Sequence, residues 1–100
     1  MACYFMIDTY IPQDGNREEY DYYIDKVRPI VESYGGEYLV RTEKVECLSK
    51  KREPQRVILI KFPTKAKLEE CFASQEYRAI MSKRVNSVDA RAIIVEGEKG

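Results

Sequence analysis

A chain of 100 residues, 44% of them apolar, has the size and composition of one domain with its own core. Lys plus Arg balance Asp plus Glu at 17 each, so no bulk positive field gathers phosphates, which counts against general nucleic-acid binding. Histidine is absent, which removes Ser-His-Asp and Cys-His catalysis, histidine-ligated zinc or haem, and imidazole acid–base chemistry near pH 7.

The stretch from Cys3 to Ile11 is rich in aromatic and β-branched residues and reads as a first strand, stopped by Pro12. Asp14-Gly15-Asn16 is turn chemistry, and Asp14 or Asn16 can cap a helix whose first turn holds Glu18 and Glu19. Tyr20, Tyr23, Ile24, Val27, Ile30, Val31 and Tyr34 then follow helical spacing. Pro29 lies within this run, removes one backbone donor and should bend the helix near residues 25–28. Gly35-Gly36 ends it, one glycine being free for the left-handed cap.

Glu37 to Leu48 reads as the second strand, with Tyr38, Val40 and Thr42 on one face and Leu39 and Arg41 on the other. A polar turn follows, whose Lys50-Lys51-Arg52 keeps a hairpin soluble. Arg56 to Phe62 is the strongest strand, ended by Pro63. Thr64 can cap a short helix that buries Leu68, Cys71 and Phe72. The helix breaks near Ser74, which can cap a further helical stretch with Tyr77, Ile80 and Met81 on one side. Ala90 to Glu96 is the last strand.

The order β-α-β-β-α-β over residues 1–100 predicts a single α+β domain. Its fold is ferredoxin-like, a four-stranded antiparallel sheet with the helices on one face. Phe5-Met6-Ile7 and Val57-Ile58-Leu59-Ile60 are apolar without alternation, so both faces of the sheet want cover. The helices cover one. A second copy related by a two-fold axis is the simplest cover for the other, which predicts a homodimer through the sheet face. The alternative is a monomer whose Tyr and Lys stems shield that face. Cys3, Cys47 and Cys71 lack C-x-x-C spacing and read as reduced thiols, Cys3 and Cys71 as small core residues. No signal peptide or membrane-length apolar run is evident, so a cytoplasmic location without membrane partners is the default expectation.

Four pieces in order carry a resemblance. They are Tyr34-Gly35-Gly36-Glu37-Tyr38-Leu39-Val40-Arg41, Pro54-Gln55-Arg56-Val57-Ile58-Leu59-Ile60-Lys61-Phe62-Pro63, Ser74-Gln75-Glu76-Tyr77 and Val95-Glu96-Gly97. From about Tyr4 to Gly97 the chain resembles the family catalogued as domain of unknown function thirteen-thirty. The resemblance implies a dimeric α/β barrel, in which two ferredoxin-like sheets pack across a dimer axis. Relatives in that superfamily include cofactor-free monooxygenases, lactone isomerases and haem enzymes. With neither His nor Trp in this chain, the haem branches are unsupported, and no cofactor is expected.

Arg41 is the first candidate for chemistry, because a strand-borne guanidinium offers a planar fork to a carboxylate, enolate or phosphate. Asp8 interrupts an apolar strand and can face a polar pocket towards Arg41, where an apolar wall would raise its pKa for base work. Asp8 and Arg41 are therefore the candidate catalytic pair. The alternatives are a solvated edge arginine and a salt-bridged strand-end carboxylate. Tyr77 and Arg84 lie seven apart, two helical turns, and can donate to a ligand carbonyl and anchor an acid. The alternative is a core tyrosine and a solvated arginine. Tyr38, Arg41, Tyr77 and Arg84 form the candidate ligand set, with a small organic acid as ligand. Glu18, Asp21 and Asp25 share a helical face but lack a calcium-type loop, and read as a solvated acidic face, so no metal site is expected. Two functional readings stay open. One is a cofactor-independent enzyme on a small organic acid or aromatic ketone. The other is a non-catalytic ligand-binding or accessory dimer.

Overall fold

Seven elements succeed one another: β1 (Ala2–Tyr10), α1 (Arg17–Ser33), β2 (Glu37–Thr42), β3 (Arg56–Phe62), α2 (Lys65–Ala73), α3 (Gln75–Val85) and β4 (Asp89–Gly97). They are seen in a computed structural model that describes residues 2–13 and 17–97. The capping turn expected at Asp14-Gly15-Asn16 lies outside the described residues. The strands form one sheet in the order β2-β3-β1-β4, every neighbouring pair antiparallel. The chain is therefore α+β and ferredoxin-like, with its two most apolar strands at the centre of the sheet.

Strand periodicity sorts the residues between two faces. In β1, Cys3 and Thr9 are fully buried, and Phe5 and Ile7 pack with them against the helices. Across the ladder Ile7 pairs with Ile58 and Ala92, and Phe5 with Ile60 and Ile94, so these share the helix side. Ile58, Ile60 and Phe62 of β3 close on Tyr20, Tyr23, Val27 and Val31 of α1 and on Leu68 and Cys71 of α2. The intervening residues Met6, Asp8, Val57 and Leu59 look the other way. On that open face Val40, Ile93 and Val95 are exposed, and Met6, Val57 and Leu59 are half-buried. The apolar second face read from β1 and β3 is thus present.

α1 continues through Pro29 to Ser33 as one helix. It ends where Gly35 adopts φ +86° and the Gly36 N–H donates to the Val31 carbonyl at 2.9 Å. A Cβ on Gly36 would overlap the Val31 side chain, so this second glycine is needed for close approach. Thr64 caps α2 by accepting from the Lys67 N–H at 3.2 Å. Ser74 ends α2 and begins α3. Its hydroxyl donates to the Cys71 carbonyl at 2.6 Å and accepts from the Tyr77 N–H at 3.2 Å.

β2 departs from the sequence reading in two ways. It stops at Thr42 instead of Leu48, because the Thr42 hydroxyl takes the Lys44 N–H at 2.9 Å and turns the chain out of the ladder. A bulge also interrupts its pairing: Tyr38 stands opposite Ile60, Val40 opposite Leu59 and Arg41 opposite Ile58. Tyr38 therefore shares the helix side with Arg41, and of the three residues expected together Val40 and Thr42 keep the open side.

Candidate functional site

A recess of about 150 Å³ lies between the helix side of β1 and β4 and helices α1 and α3. Phe5 and Ile7 form its floor, and Ala90 and Ala92 its β4 side. Tyr23 from α1 and Tyr77 and Arg84 from α3 supply its polar groups. The Tyr23 hydroxyl donates to the Tyr77 hydroxyl at 3.0 Å, leaving the Tyr77 proton free for a ligand. Burial, reinforced by Tyr77, pushes the Tyr23 pKa far above the ordinary tyrosine value, so Tyr23 stays a neutral hydroxyl. Phe72 packs edge-on to Tyr77 at 4.8 Å between ring centres and lies 4.7 Å from Phe5, which fixes the Tyr77 ring.

Arg84 is half-buried, its guanidinium 5.9 Å from the centre of the Tyr23 ring. Burial opposes its charge, but the Tyr77 and Tyr23 hydroxyls outweigh that and raise its pKa. It forms no salt bridge among the described residues. A guanidinium at an apolar wall without a carboxylate is a ready anion site.

The structure thus brings Tyr77 and Arg84 to one recess, as their seven-residue spacing suggested. Tyr38 lies on the far side of Tyr23, in a slot of about 20 Å³ between α1 and the sheet. Burial pushes its pKa up to about 12. Arg41 is exposed, its guanidinium 5.5 Å from the centre of the Tyr38 ring, as is that of Arg28, and it lines neither space. Asp8 does not face Arg41. It projects from the open face, where the Arg52 Nε and Nη2 donate to its two oxygens at 2.6 and 3.1 Å. The physical reason is strand alternation: Asp8 falls between Ile7 and Thr9, both of the helix side. Arg52, expected to be a solvated turn residue, is the partner that ties the 43–55 loop to β1.

One family model matches the chain, Domain of unknown function (DUF1330), over residues 4–98. The chain belongs to the DUF1330 family. No curated protein matches it. Among solved structures, a protein of unknown function from Rhodopseudomonas palustris superposes with a TM-score of 0.84 at 18% identity, covering 99% of this chain and 84% of that one. A dimeric ferredoxin-like protein of unknown function from Jannaschia sp. CCS1 gives 0.74 at 13% identity, covering 97% and 100%. SnoaB, a cofactor-independent oxygenase from Streptomyces nogalater, gives 0.67 at 8% identity, covering 99% and 95%. At these identities the likeness is one of fold.

In this DUF1330 chain sequence reasoning missed the polar role of Tyr23, which helical spacing marks only as a packing residue. It also missed Phe72 as the ring that orients Tyr77. The thiols behave as read: Cys3 and Cys71 are buried and Cys47 is exposed, all three unpaired. Burial pushes the Cys71 pKa up to about 11, which keeps it a neutral core residue. No helix among the described residues is long and apolar enough to cross a membrane.

Proposed function

We propose that this protein is a homodimer, joined through the open sheet face, that binds a small organic acid or aromatic ketone beside Arg84. There it supports a cofactor-independent reaction through an enolate. The observation behind this is the half-buried Arg84 guanidinium, which lacks a carboxylate among the described residues and sits beside the Tyr23–Tyr77 hydroxyl pair. As charge gathers on a carbonyl oxygen, Arg84 and the Tyr77 hydroxyl stabilise it more than they stabilise the neutral ketone, which lowers the barrier. Decarboxylation of a β-keto acid passes through such an enolate: the C–C bond to the carboxylate breaks, CO₂ leaves with no base required, and water returns a proton to the carbon. The cofactor-independent Streptomyces neighbour supports the reading by fold analogy alone. The apolar open face and the dimeric Jannaschia neighbour support the homodimer.

One feature favours the second reading, a non-catalytic carrier or sensor of the same acid. The recess is lined by no carboxylate or thiol, so no side chain in it takes up a proton near pH 7. Incubating the protein in D₂O with β-keto acids and aryl ketones, followed by NMR, separates the readings. Exchange or loss of carbon-bound groups that disappears in Arg84→Gln supports the enzyme. Saturable binding without turnover supports the carrier. No binding of any acid overturns both. Native mass spectrometry tests the dimer, and a single-chain mass would overturn it.

A further inference from the structure

We infer that the ligand of this recess is a one-ring aromatic acid, and that Ala90 and Ala92 on β4 set that limit. The inference rests on the acid-binding reading above and names its ligand class. Three observations carry it. The first is size: about 150 Å³ matches the volume of a cavity known to hold a single benzene ring, so a fused second ring would have to lie outside the recess.

The second is the wall. Phe5, Tyr23 and Tyr77 all line the space, and Phe72 buttresses Tyr77 from behind. A flat ring meets these edges and faces in the tilted geometries aromatic pairs prefer. A short aliphatic acid would satisfy Arg84 and leave most of that wall wet.

The third is the choice of residues on β4. Alanine is a weak strand former, and an edge strand gains from β-branched residues. On its open face β4 follows that rule with Ile93 and Val95. On the helix side it keeps Ile94 opposite Phe5, but opposite Ile7 and Thr9, where the recess lies, it carries Ala92 and Ala90. Small side chains there keep the recess open, and any larger one would project into it beside Ile7.

The test is calorimetric titration of the full-length protein with benzoate, propionate and 2-naphthoate. Benzoate should bind at least about tenfold more tightly than either other acid. Ala92→Leu should weaken benzoate by about tenfold or more while leaving propionate unchanged, and circular dichroism confirms its fold; Ala90→Val repeats the test should Ala92→Leu fail to fold. Arg84→Gln should weaken both acids. Naphthoate binding as tightly as benzoate, or benzoate binding untouched in a folded Ala92→Leu protein, overturns the one-ring limit and leaves acid binding standing. If none of the three acids binds, both fall together.

Discussion

Two arginines, one over each face of the sheet, are treated in opposite ways. Arg52, over the open face, is exposed and takes both oxygens of Asp8. Arg84, on the helix side, is half-buried against tyrosine rings with no carboxylate among the described residues. The Arg52 charge stands in water and needs no partner; the pair serves Asp8, whose side chain is 15% exposed. A charge against an apolar wall needs one, and the fold provides only hydroxyls. That unmet demand is the basis of the proposed acid site on the helix side. The satisfied pair ties the 43–55 loop to the open face, where the proposed dimer contact lies.

The contrast can be broken most severely on β3, where neighbours face opposite ways. Ile60→Ala should lower unfolding stability in a denaturant titration by about 3 kcal/mol, the usual cost of emptying a packed core position. Leu59→Asp, one residue away, should leave the circular dichroism spectrum native and convert a dimeric mass to a single-chain mass in light scattering. A folded dimer from Leu59→Asp would remove the open face from the interface. Next in size, Arg84→Gln should weaken binding of a bound acid about ten- to a hundredfold, as loss of a charge-assisted hydrogen bond does, without lowering the melting temperature. Tyr77→Phe should lower stability by about 1 kcal/mol through the lost Tyr23 hydrogen bond and also weaken the acid. Smallest in its effect on binding, Arg52→Gln should leave acid affinity unchanged while lowering the melting temperature, because the Asp8 carboxylate, 15% exposed, loses its partner; a loss of binding there would erase the distinction between the faces.

The buried thiols give a pH test of the helix side. Cys71 titrates near 9 when unperturbed and at about 11 in the fold, because burial disfavours the thiolate. The unfolded chain therefore loses this proton first as pH rises. Its contribution to stability is complete below pH 9 and declines from there to about pH 11. Chemical denaturation across that range should show the fall, and Cys71→Ala should flatten it. In the native protein at pH 8, a thiol reagent should label Cys47 quickly and Cys3 and Cys71 slowly.

What the sequence made legible follows from how local each signal is. The boundaries of β3 are legible because an unbroken apolar run meets Pro63. Ser74 and Thr64 were read as caps because a hydroxyl before a helix has one obvious use. The pairing of Tyr77 with Arg84 was legible because both lie on one helix, two turns apart. The end of β2 was not, since a threonine inside an extended run looks like strand until its hydroxyl is seen to take the Lys44 N–H. Tyr23 meeting Tyr77 was hidden because it joins residues 54 apart in the chain, on different helices. The orientation of Asp8 was available all along: counting in twos from Cys3 places it with Tyr4 and Met6, away from the helices.

The bulge in β2 has a consequence for descent. Leu39 has no opposite number in β3, while Tyr38 faces Ile60 and Arg41 faces Ile58. Loss of the Leu39 codon would shorten the strand and leave both of those pairings intact. Lineages can therefore gain or lose this one residue at the sheet edge without turning either flank over. A one-codon deletion inside β3, matched by a neighbour on both sides, would reverse every side chain beyond it and send Phe62 into water.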